Sequence, residues 1–135
     1  MKNRFARISF IISLLFSTVA LSNEMDGIDL KVTMKHMRFE YTQALETVST
    51  SEFSGHINKM SELLAKAQGY QFSPERAKIS LEGLDKVAVV LNTIQQTDIT
   101  VGNLATVQAQ LEQVDSLRKV YHKKSKPSIW QLIFG

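Results

Sequence analysis

The 135-residue chain has no cysteine. Disulfides, cysteine-ligated zinc, iron–sulfur clusters and a covalent Cys-x-x-Cys-His haem attachment are all excluded by that absence. An exported domain of this size often relies on disulfides, so stability has to come from packing, with a bound cofactor as a further source. Strand signals are missing too, apart from a short apolar run from Val87 to Leu91 that fits a helical period equally well. No run is long enough to span a bilayer. The apolar stretch from Ile8 to Phe16 amounts with its shoulders to about a dozen residues, against the roughly 20 a spanning helix needs.

That short run follows Lys2, Arg4 and Arg7 and precedes the small-residue pattern Ala20-Leu-Ser22. The layout is that of a secretory signal peptide, with cleavage expected after Ser22 first and after Ala20 second. Removing residues 1–22 from 135 leaves 113, enough for one domain with a single core. The three basic residues of the leader leave with it, so 16 basic against 13 acidic side chains become 13 against 13. Charge of one sign is therefore lacking in the mature chain. An argument for nucleic-acid binding from the high isoelectric point would be mistaken. The expected organisation is a signal peptide over 1–22, a helical domain over 23–126 and a hydrophobic tail over 127–135.

Four amphipathic segments fill the domain. Leu30, Met34, Met37, Tyr41, Leu45 and Val48 recur in alternating steps of four and three, the period of one helical face. Ser49-Thr-Ser51 then offers capping oxygens for a second helix striped by Phe53, Ile57, Met60, Leu64 and Ala67, which Gly69 should stop. Ser73-Pro74-Glu75 reads as a third helix start, with Ala77, Leu81, Leu84, Ala88, Leu91 and Ile94 inward. Gly83 lies mid-helix, at a cost of about 1 kcal/mol relative to alanine, and leaves room for a close helix or a flat ligand. A fourth helix is expected from Asp98 or Thr100, striped by Leu104, Val107, Leu111, Val114, Arg118 and His122. Four such helices joined by short turns predict an all-α, antiparallel up-down-up-down four-helix bundle.

Parity then brings two distant residues together. With an even number of antiparallel helices, the start of the first and the end of the last share one end of the bundle. Met34 in Asp29-Leu-Lys-Val-Thr-Met34 and His122 in Leu117-Arg-Lys-Val-Tyr-His122 each lie about one turn from those termini, both on an apolar stripe. A thioether and an imidazole meeting across a bundle make a strong axial pair for a haem iron. Taken singly, each has a plainer reading: methionine as core filler, and histidine as a partly exposed group favoured near a helix carboxyl end. His36, about 200° around the helix from Met34, is expected on the surface, and His56, next to the core residue Ile57, is not expected to bind iron. Arg118 on the inward face needs a partner, either an acidic group on a neighbouring helix or a haem propionate. Lys126, one turn beyond His122, could also reach a propionate.

Several stretches resemble those of the periplasmic cytochrome b562 family: Asp29-Leu30 with Met34, Asn58-Lys-Met60, Gly83-Leu-Asp85, and Arg118-x-x-Tyr121-His122-x-Lys124. The resemblance runs from Asp29 to Lys126. It implies a four-helix bundle, one non-covalent haem b with Met34 and His122 as axial ligands, and electron transfer in the periplasm with an unidentified redox partner. Two strong protein ligands leave no open iron position, so no enzymatic turnover is expected. The chain differs from the family in a shorter second connection, around residues 68–73, and in aliphatic residues such as Leu84 where aromatic rings are expected.

Two other readings of the residues stand beside it. Met25, Met34, His36 and Met37 are soft or borderline donors grouped near the mature amino end, which suits a periplasmic copper-binding protein, although His36 falls on another face. A cofactor-free bundle acting as an interaction module is the third reading. The tail Pro127-Ser-Ile-Trp-Gln-Leu-Ile-Phe-Gly135 would expose five large apolar side chains. Four fates are open to it: covering a haem edge, docking to a partner, resting on a membrane, or packing back on the bundle.

Overall fold

The computed structural model describes residues 29–124, the side chain of His122 excepted. The leader, Met25, Lys126 and the tail 127–135 lie outside the described residues. Five helical segments, α1 (Leu30–Glu46), α2 (Thr50–Gln68), α3 (Pro74–Gln95), α4 (Leu104–Leu111) and α5 (Gln113–Lys124), form four bundle helices. The last two are one helix interrupted at Glu112, where the backbone keeps right-handed helical angles and Ser116 N still donates to Glu112 O at 3.4 Å. Among the described residues there is no strand, and none of their helices is long and apolar enough to cross a membrane.

Local chemistry sets the helix ends. Asp29 caps α1 by accepting from Val32 N at 3.1 Å, and Ser49 caps α2 by accepting from Glu52 N at 3.3 Å. Glu52 in turn accepts from the Thr47 hydroxyl at 2.7 Å, which ties the α1–α2 turn into the cap. Gly69 ends α2 as expected, but in a right-handed conformation rather than a left-handed one. Pro74 opens α3, with Ser73 contributing its carbonyl and no side-chain cap.

The fourth helix begins at Leu104, later than the expected Asp98 or Thr100. Asn103 explains the delay. Its amide donates to Asp98 O at 2.7 Å and its carbonyl oxygen accepts from Thr100 N at 2.8 Å, holding residues 98–103 in a turn that side-chain bonds stabilise in place of helix.

The helices alternate in direction, as cross-helix bonds demonstrate. Gln68 Nε2 donates to Asp85 Oδ1 at 2.8 Å and Gln95 Nε2 to Asn58 Oδ1 at 3.0 Å, so α2 and α3 run oppositely. Gln108 Nε2 reaches the carbonyls of Ala44 at 3.0 Å and Thr47 at 2.8 Å, placing the start of α4 beside the end of α1. The starts of α1 and α3 and the ends of α2 and α5 therefore share one end, taken here as the upper end. α1 packs most extensively on α2 and meets the fourth helix through α4, while α5 leans on α3.

One core fills the interior. The expected α2 stripe is buried completely, and Leu84, Leu91, Ile94, Leu104, Val107, Leu111 and Val114 join it. On α3 the buried face includes Ser80 and Val87, with Leu81 and Ala88 only half-buried. The α1 face is rotated further. Thr33, Glu40 and Ala44 are buried, Tyr41 and Leu45 are half-buried against the core, and Val48 lies beyond the helix at 89% exposure. The rotation follows from α2 covering the 33/37/40/44 side.

Glu40 is the costly element of that face. Its carboxylate meets His56 Nδ1 at 2.5 Å and Lys59 Nζ at 3.9 Å, both from α2, so a buried acid finds a hydrogen-bond partner and a nearby cation across the α1–α2 seam. His56 is thus committed to Glu40. Replacing His56 with alanine should destabilise the fold by about 1–3 kcal/mol, because Glu40 is left poorly satisfied. A denaturant double-mutant cycle with Glu40→Gln should then return a coupling of at least about 0.5 kcal/mol; zero coupling would show that the pair contributes nothing.

Candidate functional site

Met34 is entirely buried, its side chain part of the core cluster in the second turn of α1. Position 122 lies in the last turn of α5. Gln108 Nε2 sets the start of α4 beside the end of α1, so from there α5 rises to position 122 as α1 rises to Met34. Both positions therefore lie within two turns of the shared upper end of the bundle. Burial pushes the Tyr41 hydroxyl above its ordinary pKa, and the charges of Asp115 and Glu112 add to the rise while Arg118 opposes it.

α3 supplies the third side of this end. The Tyr121 hydroxyl donates to Glu82 Oε1 at 2.7 Å, which fixes α5 against α3 one residue from position 122. Ser80 and Gly83, both buried, flank Glu82 along α3. The smallest inward residues of α3 thus lie beside the turn that bears position 122, and Leu84 completes an apolar wall. Inward bulk is withheld where a planar ligand would need it.

The polar residues of the site are organised around α5. Arg118 Nε donates to Asp115 Oδ1 at 2.8 Å and Lys119 Nζ lies 3.0 Å from Asp115 Oδ2. Burial alone would push the Asp115 carboxyl up, but the hydrogen bonds from Lys119 and Arg118 outweigh it and hold the group below the usual carboxylate value. Asp115, an acidic partner of Arg118, thus lies on the same helix one turn earlier, whereas the two partners considered from sequence were a haem propionate and an acid on a neighbouring helix.

Tyr121 is not one of the expected inward residues of the fourth helix, yet it is a hub. Its ring is 1% exposed, with Lys124 Nζ 4.9 Å and Lys86 Nζ 5.7 Å from the centroid. Burial, followed by the bond to Glu82, raises the Tyr121 hydroxyl, and the same bond lowers Glu82. The Glu82-x-x-x-Lys86 spacing is the one sequence signal that hinted at this cluster. Tyr121→Phe keeps the ring and removes the bond. It should cost about 1 kcal/mol of stability in chemical denaturation, since exposed Glu82 regains water; an unchanged midpoint would show that the bond does not hold α5.

The other candidate donors are dispersed. His36 is exposed, as expected, while Met34 and Met37 are buried, so the three share no surface. Among the described residues there is no group of three or more His, Cys, Asp or Glu side chains able to hold a metal.

No curated protein and no solved structure matches the chain. A family model does, over residues 29–126, and that span takes in α1 to α5, the Met34 level and the final turn bearing position 122. The chain belongs to the cytochrome b562 family, a family of haem-binding electron-transfer cytochromes.

Proposed function

We propose that the mature chain is a periplasmic electron carrier that binds one haem b non-covalently, with the Met34 sulfur and the His122 imidazole as axial ligands. The observation that carries this reading is that the second turn of α1, which bears the buried Met34, and the last turn of α5, which bears position 122, share the upper end of the bundle. The buried Ser80 and Gly83, beside the Tyr121–Glu82 bond, fit a flat macrocycle, and the buried Met34 thioether suits a water-excluded iron. A haem held by thioether and imidazole supplies one-electron exchange, with the thioether favouring the reduced state.

The chain's own residues do the rest. Met34 and His122 would both be engaged in holding the haem, which would favour electron exchange over turnover. Asp115 steadies Arg118 on the position-122 face, from where its guanidinium is proposed to meet a propionate, joined by Lys126 beyond the described helix. Tyr121 and Glu82 fix the rotation of the last α5 turn. Export rests on the leader-like segment 1–22, which would deliver the chain to the periplasm.

Purification of the full-length product from an exporting host tests this directly. The expected result is a mature mass beginning at Asn23, one haem per chain, and sharp Soret and α bands on reduction. A colourless protein that rejects added haem would favour an interaction module, and bound copper without haem absorption would favour the copper reading; either defeats the proposal.

A further inference from the structure

The flank of α5 turned away from position 122 carries a largely apolar groove open to solvent among the described residues. It lies between α3 and α5 with a volume of about 360 Å³, lined by Val89, Val90, Leu117 and Val120 together with the polar Lys86, Gln113 and Ser116. Val89 is 66% and Val120 48% exposed, whereas a soluble helix usually turns polar groups to water here. Helical geometry separates the groove from the ligand face. Position 120 lies about 160° around α5 from position 122, so the groove is no part of the Met34 level.

We propose that the groove is filled by this chain's own carboxyl-terminal segment, residues 128–134. Ile129, Trp130, Leu132, Ile133 and Phe134 bring five large apolar side chains and no charge, chemistry that matches the lining. Reach also fits. α5 is described to Lys124, and Pro127 cannot continue a helix without losing a hydrogen bond, which favours a change of direction three residues on. The groove runs along α5 from Val120 back to Gln113, about 10 Å. Seven tail residues cover about 10 Å as a helix and about 23 Å when extended, so either conformation suffices. The segment adjoining the groove in sequence thus encounters it at high effective concentration, ahead of any second molecule. Burial there removes apolar surface from water on both partners.

The absence of native cysteine makes a disulfide test clean. Full-length protein carrying Val89→Cys with either Leu132→Cys or Ile133→Cys, exported to an oxidising compartment, should form an intrachain disulfide in most molecules, read as a monomer two mass units lighter than its reduced form. Bridging needs Cα atoms within about 7 Å, so it reports real proximity. Phe39→Cys, at an exposed α1 site, with the same tail positions should stay reduced. Free thiols in both groove pairs, equal bridging at Phe39, or dimers as the sole product would overturn the proposal. So would tail thiols that become protected from alkylation only when phospholipid vesicles are added. None of these readouts depends on haem, so failure here is separable from failure of the proposed ligation.

Discussion

Replacing Met34 with alanine is expected to abolish the sharp α band of the reduced protein and to lower its reduction potential. The side chain is wholly buried, so its removal leaves a hole in the core at the proposed iron site and no thioether to favour the ferrous state. Replacing His122 with alanine should be more severe, because the proposed imidazole ligand would serve both oxidation states. Haem retention should fall by more than about 100-fold, the upper end of what losing an outer-shell partner costs a metal site. Absorption spectra and haem titration of the two variants, with far-ultraviolet circular dichroism to confirm the fold, provide the measurement. Spectra indistinguishable from the parent in both variants would refute the ligand assignment.

The largest effect on folding is expected at Phe53. This ring is fully buried in the first turns of α2, at the lower end of the bundle and far from the Met34 level. Phe53→Ala removes most of a large side chain from a packed interior, at a cost of about 3–5 kcal/mol. For a domain with about 5–15 kcal/mol in total, that is a large share. At about 4 °C or more per kcal/mol for a domain of this size, the melting midpoint should fall by at least about 12 °C. The folded fraction should nevertheless keep the parental spectrum, because the cavity lies at the opposite end. A midpoint shift under about 4 °C would show that the lower core tolerates the loss by collapse.

Much of this molecule was legible in one dimension. The α2 stripe from Phe53 to Ala67 is buried residue for residue, because a helix flanked on two sides shows its period cleanly. The α1 stripe was less faithful. Glu40 and Thr33 lie on the buried face while Val48 does not, since α2 covers one side of α1 and a carboxylate can be buried when His56 bonds to it and Lys59 lies near. Periodicity rates glutamate as outward whatever its partners are. The late start of α4 was hidden for a similar reason: Asn103 bonds to Asp98 and Thr100 are local, but nothing in composition sets them above helix formation.

By itself the sequence determined the all-α class, the four apolar stripes and, through parity, that Met34 and position 122 share one end of the bundle. Those follow from backbone period and chain direction, which are local properties repeated along the chain. Only the tertiary structure decided the rotation of α1 about its axis, the pairing of Arg118 with Asp115, the Tyr121–Glu82 tie, and the place of Ser80 and Gly83 beside the last α5 turn. Each of these depends on which helix faces which and at what height. That is fixed by the summed packing of the core, a quantity no single stripe contains.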